Sequence, residues 1–265
     1  MLLAGVTGCS TRKRLYKHHA FVTEADAYDY LTKALQSELP DVRREAIREI
    51  ARSRYATHEV VVRALATIAL TDPSPSVQCA ALAALRAAGG PEAAEAVLAV
   101  LEQEPGAGEA PWIGPRGANV RLAALRTALT LVADQQLAPE NRAALQALAA
   151  RLIREDPSRD IRQCSARVLG YCPHADTLEP LIDALQQRDF GVVYEAEQSL
   201  MRLTGRTFDY DAVAWREWLT GTDQPFADAG RLDHLVEPPP KNWWQRSLDG
   251  TRRAFETFKP KKGES

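Results

Sequence analysis

Apolar residues recur along this chain at helical spacing, in a pattern that is written five times. The five frames are LPDVRREAIREI (39–50), SPSVQCAALAAL (74–85), GANVRLAALRTA (117–128), SRDIRQCSARVL (158–169) and DFGVVYEAEQSL (189–200). Each is led by an aliphatic residue: Val42, Val77, Val120, Ile161 or Val192. Four positions on comes a small residue (Ala46, Ala81, Ala124, Ser165, Ala196), and eight positions on comes Ile50, Leu85, Ala128, Leu169 or Leu200. Steps of four and eight keep these on one face of a helix, and the small middle residue lets another helix approach closely. A second apolar helix is expected before each frame, for example in VVVRALATIAL (60–70), AAEAVLAVL (93–101), RAALQALAARLI (142–153) and TLEPLIDAL (177–185). The unit is therefore a pair of helices.

The starts of the frames are also alike. Ser74, Gly117, Ser158 or Asp189 stands three residues before the aliphatic, and all are acceptable N-caps; Leu39 is the exception. Pro40 and Pro75 fall at the first helical position, where a missing N–H costs nothing, and Asp41 and Asp160 put negative charge in the first turn. The leading aliphatics lie 35, 43, 41 and 31 residues apart, so loops vary while the pair is kept. Neither helix can bury its stripe alone, but stacked pairs can.

On these frames the chain resembles the HEAT-repeat family, including its shorter bacterial form. The carriers are Val42-Arg43, Val120-Arg121 and Ile161-Arg162, and the resemblance covers roughly Ala25 to Leu203. It implies an all-α fold: a right-handed α-solenoid of about five HEAT-like helix pairs over residues 23–204. Arg43, Arg121 and Arg162, at one point of successive helices, are expected to bond neighbouring acids or carbonyls as a repeat ladder. Gln78 and Val193 replace the arginine in two frames, so polar bonding should differ there.

The pattern breaks in three places. EQEPGAGEAPWIGPRG (102–117), with four glycines and three prolines, excludes a regular element; its Trp112 either packs on the solenoid or belongs to a binding loop. LTGRTFDYDAVAWREWL (203–219) reads as a cap over residues 205–220, with Asp211 starting a short helix that carries Trp215 and Trp218 on one face. This ending looks like one found in HEAT-repeat proteins of planctomycete-type bacteria. Asp209 and Asp211 as a paired-carboxylate site is the sharper alternative. Residues 221–240, ending in three prolines, read as an extended linker. Residues 241–265 follow as a basic, aromatic, amphipathic tail, expected to be partly disordered. Trp243, Trp244, Phe255 and Phe258 in it are interaction candidates, for a membrane surface, a partner or the acidic body of the same chain.

Charge sharpens the picture of the ends. Residues 1–20 carry +4 and residues 241–265 carry +4, so the overall −2 leaves −10 on the body between them. Basic ends suit attachment to an anionic surface, and an acidic body argues against nucleic acid as a partner. Within residues 1–22, Val6-Thr7-Gly8-Cys9 has the form of a lipobox, although only eight residues precede the cysteine. Bacterial lipoproteins resembling this are lipidated at the cysteine, so Cys9 is the lipidation candidate. The implied location is membrane-anchored and extracytoplasmic, with cytoplasmic as the alternative.

Candidate chemistry is sparse. Phosphate-loop, dinucleotide, zinc-protease and nucleophile-elbow motifs do not occur. Cys172 and His174 lack the companions of a metal site, and Cys79 and Cys164 fall where small apolar residues pack. The expectation is a non-catalytic scaffold or adaptor with a protein partner and no cofactor or metal. The alternative is an enzyme on the same architecture, as in the HEAT-like bilin lyases and alkylpurine DNA glycosylases. For the latter, Arg44, Arg48, Arg126 and Arg167 would have to gather on the inner helices.

Overall fold

A computed structural model describes residues 23–102 and 117–231. The described residues form helices and turns with no strand. The helices are α1 (Glu24–Gln36), α2 (Pro40–Ala51), α3 (Glu59–Thr71), α4 (Pro75–Ala88), α5 (Pro91–Glu102) and α6 (Ala118–Ala133). They continue with α7 (Pro139–Glu155), α8 (Arg159–Leu169), α9 (Ala175–Ala184), α10 (Phe190–Thr204) and α11 (Ala212–Thr220). Five consecutive pairs, α1–α2 to α9–α10, stack side by side as an α-solenoid, and α11 closes the C-terminal end. Even-numbered helices pack on one another along one layer. Odd-numbered helices form the other layer and approach each other less closely, which bends the stack toward the even layer.

The frames account for this packing. Val77, Ala81 and Leu85 are fully buried, as are Val120 and Ala124, Ile161 and Ser165 with Leu169, and Val192 and Ala196 with Leu200. Val42 departs from the rule at 37% exposed. In later pairs another even helix packs against the one that carries the leading aliphatic from the N-terminal side, whereas α2 has none before it among the described residues. The next buried column, five residues after the aliphatic, runs Ile47, Leu82, Leu125 and Ala166, then Glu197.

Helix ends differ in part from expectation. Thr23 and Asp26 make a reciprocal capping box on α1, and prolines open α2, α4 and α7. Ser74, Gly117, Ser158 and Asp189 do sit at N-cap positions, yet none makes a side-chain capping bond. Aspartates two residues upstream order two of these turns instead: Asp72 Oδ1 accepts from Ser74 N–H and Asp156 Oδ1 from Ser158 N–H, both at 2.8 Å. Gly205 ends α10 at φ 68°, in the left-handed region, with Asp228 packed where a side chain would stand.

That contact corrects the linker reading of 221–240 in its described part. Residues 221–231 fold back in turns on the end of α10. Gly230 N–H donates to the Arg202 carbonyl at 2.9 Å, Arg206 pairs with Asp228 at 3.2 Å, and Phe226 packs on the core. Polar composition hid this, because the anchors are a backbone bond, one ion pair and one aromatic ring rather than an apolar stripe.

Candidate interaction surface

The even helices carry both the ladder and the concave surface. Arg43 reaches from α2 to the turn before α4, where its Nε and Nη2 donate to Asp72 Oδ2 and Oδ1 at 2.7 and 2.9 Å. Its Nη1 donates to the carbonyls of Ser37 and Glu38 in its own preceding turn. Arg121 forks onto Asp156 at 3.1 and 3.3 Å. Arg162 donates to Asp189 Oδ2 at 2.7 Å and Gln187 Oε1 at 3.0 Å, and to the Asp156 and Pro157 carbonyls behind it. Arg43 and Arg162 thus tie their own turns to the next, and Arg121 ties α6 to the turn before α8, with planar fork geometry that a lysine could not match.

The acceptors are the residues that motif reasoning missed. Asp72, Asp156 and Gln187 each stand five residues before a leading aliphatic. The signal was present as the Asp-Pro-Ser that opens two frames. Pro115 holds that place before Val120 and has no side-chain acceptor, and the helix before it carries Gln78 instead of arginine. The cationic fork and the side-chain acceptor are absent from these two positions together. At that joint Thr127 Oγ1 donates to the Leu82 carbonyl at 3.0 Å, and Ser199 repeats the device on the Ala166 carbonyl at 2.8 Å.

A groove of about 580 Å3 opens on the inner face between α2 and α4. Ala80, Ala83 and Ala87 form its floor, and Arg44, Arg48 and Arg52 stand along one wall. The small side chains leave helix backbone near the surface, so an incoming side chain can sit deep. The arginines are held upright by Asp41, Glu45 and Glu49 one turn before them. Arg126 and Arg167 lie on the later even helices, the second paired with Glu195 at 3.7 Å. These arginines are therefore spread along the layer among their own acids, rather than gathered in one basic cleft.

The cap places the sequence candidates as one cluster. Asp211 Oδ1 accepts from Val213 and Ala214 N–H, which occupies that carboxylate as an N-cap. Trp215 is fully buried, with Phe208 edge-on at 4.8 Å and Trp218 at 5.7 Å. Below them Glu197, buried in α10, accepts from Trp215 Nε1–H at 2.8 Å, Thr207 Oγ1–H at 2.7 Å and Phe208 N–H at 3.3 Å. Glu197 was missed as a site residue, although a carboxylate in an otherwise apolar column was the available signal.

No group of three His, Cys, Asp or Glu side chains arranged to hold a metal occurs among the described residues. Burial pushes the Cys164 and Cys172 thiols up to about 11 and raises that of Cys79, so these sulfurs stay protonated and unreactive at neutral pH. Cys9, Trp112, Trp243, Trp244, Phe255 and Phe258 lie outside the described residues. No helix among the described residues is long and apolar enough to cross a membrane.

Residues 28–108 match the family model for HEAT repeats. Among curated proteins none matches significantly. Among solved structures, the crystal structure of an engineered protein is 18% identical with a TM-score of 0.47, covering 78% of this chain and 94% of that one.

Proposed function

Residues 28–108 being HEAT repeats, with the same two-helix unit continuing to Thr204, we propose that this protein is a non-catalytic interaction scaffold that holds a protein partner along its even-helix layer. The observation that carries the reading is the α2–α4 groove, where an alanine floor runs beside three arginines. A floor of small residues accepts an apolar side chain without rearrangement, and the arginines offer donors to carboxylates at its rim. Each of these arginines pairs with its own acid through one guanidinium nitrogen, which leaves further N–H groups for an acidic partner segment. Attachment at a membrane surface through Cys9 and the basic residues 12–17 belongs to the same proposal.

Two measurements test it. The full chain and its Ala83→Glu/Ala87→Glu variant, with equal melting temperatures, are used as matched baits. A protein retained by the first and lost by the second is expected; equal retention, or none by either, ends the proposal for this groove. For the tether, intact mass of the native protein decides: a diacylglyceryl-modified Cys9 at the N-terminus is expected, and an unmodified residue there removes the anchor.

A further inference from the structure

The C-terminal end of the solenoid carries an aromatic surface that the cap does not use. Phe190, the first residue of α10, is 69% exposed, and its ring lies 6.3 Å from Tyr194 and 6.0 Å from Tyr210. Val213, on α11, is exposed as well. Single exposed apolar residues are ordinary, but three rings gathered at the surface are not.

The backbone beneath Tyr210 is the second observation. Asp211 N–H donates to the Phe208 carbonyl at 2.9 Å, closing a four-residue turn. Asp209 and Tyr210, its two central residues, have φ of 50° and 69°. A turn with both central residues at positive φ favours Asn or Asp followed by Gly. Asp209 fits, whereas a bulky ring at the glycine position is strained. That strained backbone sets Tyr210, still 38% exposed and outside the packed core, beside Phe190.

We infer that this platform is the docking surface for the chain's own tail, residues 241–258, with Trp243 and Trp244 covering the rings. The chain leaves the described residues at Arg231, and Asp228 is packed against Gly205. Counting residues along both paths puts Arg231 within roughly 35 Å of Tyr210 at full extension, and the twelve residues to Trp243 span up to about 40 Å. Reach is therefore assured. A tether of this length also gives an effective concentration on the order of millimolar, which favours the attached segment over a second copy. Charge agrees: Asp209 and Asp211 flank Tyr210 in the chain, and residues 241–258 carry four Lys/Arg against Asp249 and Glu256, a net +2. This docking is separate from the groove between α2 and α4 and does not depend on what binds there.

The full chain with p-benzoylphenylalanine in place of Phe190, irradiated alone in dilute solution, reads the occupant directly. A cross-link within one chain to a peptide from 241–258 is expected, falling several-fold in Trp243→Ala/Trp244→Ala. Cross-links that join two chains, or none to that segment, overturn the inference. Should the replacement at Phe190 lower the melting temperature, the same probe placed at Tyr194 distinguishes the same outcomes.

Discussion

At the scale of single residues, the instructive positions are those where a polar atom sits in an apolar column. Ser165 takes the place that alanine fills in the other four frames, and its hydroxyl is buried without a hydrogen-bond partner. Ser165→Ala should therefore leave stability unchanged or raise it by up to about 1 kcal/mol, read as a higher urea midpoint. The thiols give a pH signature. Cys164 and Cys172 ionise near 11 in the fold against 9.0 as the reference value. Between these values the unfolded chain has lost protons that the folded chain keeps, so stability is full below about pH 9 and falls as pH rises toward 11. The loss is of the order of 2–3 kcal/mol per thiol. Melting temperatures from pH 8 to 11 should drop less steeply in Cys164→Ala/Cys172→Ala than in the unchanged protein.

At the scale of elements, the even helices and their turns were the most legible part of the sequence. Apolar spacing and proline positions locate α2, α4, α6, α8 and α10 because both report backbone geometry that neighbours do not alter. The capping bonds were not legible, since Ser74 and Ser158 yield to Asp72 and Asp156, whose carboxylates are recruited by an arginine about 30 residues away. Burial grades the result of removing those acids. Asp72 is 6% exposed and Asp189 is 36% exposed. Asp72→Ala leaves Arg43 buried without its carboxylate and should cost about 3–5 kcal/mol. Asp189→Ala should cost about 1 kcal/mol, because solvent and Gln187 still serve Arg162. Equal losses in guanidinium titrations would contradict the grading. In the cap, Trp215→Phe keeps an aromatic ring but leaves part of the indole volume empty and removes one donor from Glu197, an expected loss of about 2–4 kcal/mol with α-helix content retained by circular dichroism.

At the scale of the whole molecule, the stack is a one-dimensional array in which each pair leans on its neighbours. Its two ends differ among the described residues. Trp215 and the turns of 221–231 cover the last pair, while Tyr28, Leu35, Leu39, Val42 and Val60 are exposed on the first two. Amide hydrogen exchange should accordingly be fastest in α1 and α2 and slowest in α8 and α10. Uniform protection along the array would contradict this. The number of pairs and the closing helix could be read from the sequence because they follow from local periodicity. The groove could not, since it depends on which alanines of α4 face the arginines of α2, a matter of how neighbouring helices are rotated.

The arginine fork bears on cooperativity as well as strength. Three joints of the array are fastened by a charged fork that reaches from one even helix to the turn before the next, so loosening one turn loosens the next. Between α4 and α6 that fork is replaced by the neutral bond of Thr127 and by apolar packing. Among the described residues, coupling across this joint is carried instead by the packing of α4 on α6 and of α5 on its own partner α6.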